Sequence, residues 1–163
     1  MTSPLRDLDA LPSAAQTSLT AVGLTDFDLN VLNKAISELY GDLRIVTAFS
    51  EAQRHLAGFS GELVICSRRF AGGDWQSLMK ECRKLYRAPS LIVASTAEEK
   101  MNHFWLEALN GGAFDVISYP FSVDDVRRTV VQASHDWRVR FAVRLRPKIV
   151  ASERMPRLVR RLA

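Results

Sequence analysis

The chain has 163 residues, 47% hydrophobic and 25% charged, an ordinary balance for one globular domain with a full core and no apolar run near the roughly 20 residues of a membrane helix. Its net charge of +4 is unevenly spread: residues 138–163 hold nine Lys and Arg against one acid, Glu153, while residues 1–137 hold thirteen basic and seventeen acidic residues. Met1–Ala14 has no apolar signal core, and Cys66 and Cys82 suit neither a disulfide framework nor a zinc site, so a cytoplasmic protein with two reduced core thiols and no bound metal or cofactor is expected.

The first sixteen residues read as a flexible segment before a domain spanning 17–137. Ser18–Leu24 is a first strand. Thr25 followed by Asp28 has capping-box spacing, and Leu29, Leu32, Ala35, Ile36 and Leu39 recur at helical spacing, predicting a helix over Asp28–Tyr40 that Gly41 ends. Leu43–Thr47 is a second strand. Ser50 with Gln53 predicts a second helix to about Gly58, and Glu62–Cys66 is an apolar, buried third strand. A turn through Gly72 and Gly73 leads to Asp74 as N-cap of a helix with Trp75, Leu78, Met79, Cys82 and Leu85 on one face. Ser90–Ala94 is the fourth strand. Thr96 and Glu99 open a helix to about Asn110, stopped by Gly111–Gly112; Asp115–Ser118 is the fifth strand, and Ser122 with Asp125 opens a last helix to about Trp137. Five strands alternating with five helices predict an α/β, doubly wound five-stranded parallel sheet of flavodoxin-like order 2-1-3-4-5, its crevice at the carboxyl ends of the strands.

The stretch Leu91–Val131 carries a more specific signal. Leu109-Asn110-Gly111-Gly112-Ala113-Phe114-Asp115 followed by Tyr119-Pro120-Phe121 resembles the second half of a response-regulator receiver domain, where a Leu-x-x-Gly-Ala helix exit precedes a strand ending in Lys-Pro-Phe. The likeness covers roughly Ser18–Trp137. It implies two metal-holding acids after the first strand, a phospho-accepting Asp ending the third, a Ser or Thr after the fourth and a Lys after the fifth. Such chemistry needs a cation and an ammonium to offset the phosphoryl charge.

At the corresponding places stand Ser67 for the acceptor, Ser95 for the hydroxyl and Tyr119 for the lysine. Asp26 is the first candidate for the acid pair and Asp28 the second; a shift of one or two residues puts Thr25 or Leu24 there instead, and Asp28 also suits helix capping. Val116 takes the place of the aromatic switch. A hydroxyl cannot form an acyl phosphate, and Tyr119 is uncharged at neutral pH. The resemblance is therefore to a degenerate receiver, a non-enzymatic interaction module of bacterial signalling or transcription. By the same resemblance, Tyr119–Pro120 is a candidate cis bond. No Gly-rich phosphate loop or catalytic triad is suggested by spacing.

With an inert crevice, function moves to the surface. The resemblance implies protein partners, or a second copy, on the face of the fourth helix, fifth strand and fifth helix, with His103, Trp105, Val116, Arg127 and Arg128 as candidates. His103, Phe104 and Trp105 are consecutive and cannot all point inward, so either one aromatic is exposed or both flank the buried stripe. His55, His103 and His135 read as solvated surface residues. Residues 138–146 alternate with period two yet also continue the helix through Trp137, Phe141 and Leu145; the absence of a breaker before Pro147 favours helix. Three uses compete for the extension 138–163: a solvated appendage, a helical arm for docking or self-association, or nucleic-acid contact through Arg138, Arg140, Arg144, Arg146, Arg157, Arg160 and Arg161.

Overall fold

The computed structural model describes residues 18–59 and 61–141. The strands are β1 (Ser18–Val22), β2 (Asp42–Val46), β3 (Leu63–Ser67), β4 (Arg69–Phe70), β5 (Gly73–Asp74), β6 (Ser90–Thr96) and β7 (Asp115–Tyr119). The helices are α1 (Asp26–Ile36), α2 (Phe49–Leu56), α3 (Trp75–Arg83), α4 (Ala97–Glu99), a π turn (Lys100–Phe104), α5 (Trp105–Asn110) and α6 (123–141). Five strands pair in parallel in the order β2-β1-β3-β6-β7, with β4 and β5 forming a separate antiparallel ribbon. In order of the long strands this is the expected 2-1-3-4-5 sheet. No helix among the described residues is long and apolar enough to cross a membrane.

Side-chain alternation sorts the core into two layers. Leu63 and Ile65 of β3 and Ile92 and Ala94 of β6 face Leu32, Ala35 and Ile36 of α1 and Val126, Val130 and Ala133 of α6. Val64, Cys66, Leu91 and Val93 face Leu56, Leu78, Met79, Phe104 and Ala108 on the other side. Each fully buried branched side chain contributes about 1.5–3 kcal/mol, so both faces of the sheet are needed.

Several local expectations shift. Thr25 caps α1, its side chain accepting from the Asp28 amide, but the helix starts at Asp26 and ends at Ile36. At α2 the N-cap is Ala48 and makes no side-chain cap bond, so the Ser50–Gln53 box does not form; Glu51 instead accepts weakly from Thr47. Thr96 and Glu99 form the expected box. Only Gly112 of the Gly111–Gly112 pair takes a positive φ. His55 is not simply solvated: its Nε2 lies 2.9 Å from Thr20 Oγ1, and its ring packs beside Phe59.

The fourth helix is broken rather than continuous. Arg68 pairs with Glu99 at its start (3.1 Å). Phe104, 2% exposed, is seated edge-on to Trp75 and beneath the Arg68 guanidinium. Between these anchors the backbone absorbs an irregular turn in which His103 takes φ 68°, a costly conformation for a non-glycine residue.

The last helix runs unbroken past Trp137 to residue 141. Phe141 is buried, so the folded body extends four residues into the segment assigned to the tail. Arg138 is committed there: its Nε donates to Glu62 Oε1 at 2.9 Å, while Ser134 Oγ and Tyr40 Oη donate to Oε2. Glu62 is 4% exposed, and burying a carboxylate is costly without such partners. Arg138→Ala is expected to lower unfolding free energy by about 2 kcal/mol, read from the urea midpoint at unchanged slope.

Candidate functional site

The carboxyl ends of β1, β3, β6 and β7 open onto a cavity of about 570 Å³. It lies where neighbouring crossovers leave the sheet in opposite directions, the place a doubly wound fold offers a ligand. Ser67 ends β3 at its floor. The Ser67 hydroxyl donates to Gly23 O at 2.7 Å, and its one proton is thereby used. The contact between Ser67 Oγ and Tyr119 Oη, at 2.5 Å, therefore has the tyrosine as donor. The acceptor and lysine places of the receiver pattern are thus joined to each other across β6. Tyr119 stacks on Phe121 at 5.3 Å and 9°, and the Tyr119–Pro120 bond is cis, as the resemblance implied.

The acids are arranged differently from the sequence reading. Asp26 is exposed and does not line the cavity; Asp28 does. Both Asp28 oxygens are taken within the chain, one accepting from Thr25 Oγ1 at 2.6 Å and the other from the Phe121 amide at 3.3 Å. The two residues directly after β1 are Gly23 and Leu24, so the carboxylates that a magnesium ion favours are not gathered at the tip of β3. Ser95 lines the cavity but turns its hydroxyl to Thr96 O at 3.2 Å.

Sequence reasoning missed the cations. Arg68 and Arg69 follow β3 directly and line the cavity, with Glu99 beside Arg68. Reading the two residues after Ser67 would have found them. Phe27, in the first turn of α1, also lines the cavity and is 64% exposed.

The surface candidates separate. Val116 is 1% exposed within the core and cannot be a contact residue; at that place in β7 the side chain points into the sheet layer. Arg127 reaches across to α1, donating to Ala35 O at 3.2 Å, and so faces away from β7. Arg128 stays exposed beside Asp125 at 3.0 Å. His103 is exposed, and Trp105 is 44% exposed with its indole donating to Asp115 Oδ1, so Phe104 is the inward aromatic of the trio. Met101 and Leu106 are exposed on the same segment. Arg140 pairs with Asp136 and Ser90, which with Arg138 removes two arginines from the free tail. Arg144, Arg146, Arg157, Arg160 and Arg161 lie outside the described residues.

The architecture and its cleft define a doubly wound α/β protein, and known structures narrow this further. No protein-family model matches the chain. No curated protein matches it either. Solved structures do. The signal receiver domain of an HD domain-containing protein from Pseudomonas fluorescens Pf-5 superposes with TM-score 0.63 at 18% identity, over 76% of this chain and 98% of that one. The receiver domain of the Francisella response regulator 1452 gives 0.61 at 20%, over 74% and 97%. A chain named adenylate cyclase, from Rhodopirellula baltica, gives 0.69 at 14%, over 80% and 96%. The fold is that of response-regulator receiver domains.

Burial sets the ionisation of several hydroxyls and thiols. It raises Tyr119, against the lowering effect of the Ser67 bond, and pushes Tyr40 and Cys82 up to about 12. Cys66 is raised as well, again by burial. In each case the folded chain keeps a proton that the unfolded chain releases near pH 9 (Cys) or 10 (Tyr). Stability from these groups is complete below that range and falls as pH rises through it. Urea midpoints are expected to be flat near neutrality and to decline above pH 9, with Tyr119→Phe reducing the decline above pH 10.

Proposed function

We propose that this chain is a receiver-like protein-interaction module of bacterial signal transduction or transcriptional regulation that works without phosphorylation and without catalysis. The observation that carries this reading is the Ser67–Tyr119 hydrogen bond. It fills the acceptor and lysine places with two neutral hydroxyls that satisfy each other. A phosphoryl group would need a carboxylate nucleophile, a divalent cation and an ammonium there. The two residues after β1 are not acids, and Asp28 is engaged in tying α1 to Phe121. The likeness to signal receiver domains supports the signalling context.

Contact with a partner, or with a second copy, falls on the segment bearing Met101, Trp105 and Leu106, whose exposed apolar side chains cluster within six residues. Arg128 is the remaining charged candidate on the neighbouring α6. Incubation with acetyl phosphate, or with beryllofluoride and Mg²⁺, is expected to leave the intact mass and the amide spectrum of the cavity unchanged. A stoichiometric adduct on Asp26, Asp28 or Ser67 would overturn the reading.

A second reading, nucleic-acid contact through the tail, draws on charge alone: residues 142–163 hold seven Lys and Arg against Glu153. It predicts duplex binding whose affinity falls steeply between about 50 and 200 mM salt, regardless of sequence. Removal of residues 142–163, which spares buried Phe141, should abolish it. Binding that salt leaves unchanged would discard this use of the tail.

A further inference from the structure

The crevice retains a shaped cavity after the hydroxyl pair has closed its floor. Its volume, about 570 Å³, lies within the range of small-molecule sites. Its acids already have partners within the chain: Asp28 accepts from Thr25 and the Phe121 amide, and Glu99 is paired with Arg68 and accepts from the Thr96 amide. Arg68 is likewise occupied, stacked over Phe104 at 4.3 Å. Arg69 is different. It lines the same cavity, is exposed, and has no ion pair or hydrogen bond from its side chain among the described residues. Phe27, 64% exposed, and Pro120, also exposed, line the same cavity. The site therefore offers one uncommitted guanidinium beside apolar lining residues, with both carboxylates already hydrogen-bonded within the chain.

We infer that this cavity is a binding site for a small planar aromatic molecule bearing one anionic group, the ring lying against Phe27 and Pro120 and the anion paired with Arg69. A guanidinium fits such an anion in a planar, bidentate manner, and an exposed ring gains area by stacking. A compact inorganic anion would leave the apolar walls uncovered, and a neutral aromatic would leave Arg69 unpaired. The inference goes beyond the interaction role proposed above and stands or falls separately from it.

The probe is 8-anilinonaphthalene-1-sulfonate, titrated into the full chain by fluorescence and by calorimetry. One saturable site per chain is expected, with dissociation constants raised at least tenfold by Arg69→Glu and by Phe27→Ala. The charge-matched Arg128→Glu and the patch variant Trp105→Ala should stay within twofold of the parent. Absence of a saturable site, an Arg69→Glu value within twofold of the parent, or loss of the site in Trp105→Ala would overturn the inference. Displacement of the bound dye by beryllofluoride and Mg²⁺ would place the dye in this cavity while sinking the phosphorylation-independent reading. Silence toward both reagents would overturn the ligand site alone.

Discussion

Parallel strands cannot be joined by tight turns, so each pair needs a crossover, and crossovers cover both faces of the sheet. That constraint organises the molecule. β3, at the centre, is buried along its whole length and delivers its last residue, Ser67, to a floor shared with β1 and β7. What stands at the tip of β3 therefore decides which chemistry the cleft can host. Helices on either side hold that position through two apolar layers, and the polar groups at the floor are paired rather than exposed to solvent.

The two ends of the sheet handle polarity in different ways. At the carboxyl ends, neutral hydroxyls of Ser67 and Tyr119 meet each other and the Gly23 carbonyl. At the amino ends Glu62 is buried, held by Arg138 and Ser134 of α6 and by Tyr40 in the loop after α1. Burying a carboxylate is costly without such partners, and two of these bonds tie α6 to the start of β3. The crevice also buries a carboxylate, Asp28, which is 4% exposed and is held by Thr25 and the Phe121 amide rather than by a cation.

Much of the architecture was legible because burial writes itself into composition: Glu62–Cys66 and Ser90–Ala94 are unbroken apolar runs, and Thr25 and Thr96 mark helix starts by their spacing to Asp28 and Glu99. The less legible features depend on phase or on distant anchors. Asp26 and Asp28 lie two residues apart on α1, hence about 200° apart around its axis, and only the true start of the helix shows which of them turns inward. The irregular turn at His103 lies between Glu99 and Phe104, which contact Arg68 and Trp75, residues distant in sequence. The β4–β5 ribbon has strands of two residues, too short for any periodicity to register. Arg69 lies two residues beyond the end of β3, where neither apolar alternation nor the receiver pattern marks a side chain.

The direction of α6 has a consequence for how occupants of the two ends of the sheet could influence each other. It begins beside the crevice, after Phe121, and its nineteen residues carry the chain about 28 Å to the far pole of the sheet, where Arg138 grips Glu62 and Arg140 meets Ser90. The last described residue, Phe141, thus lies on the side of the molecule opposite the cleft. A small molecule in the cleft could not touch a partner held at that far pole. The two could communicate only along this rod or through the sheet beneath it, as tension in a strut rather than as competition for a shared surface.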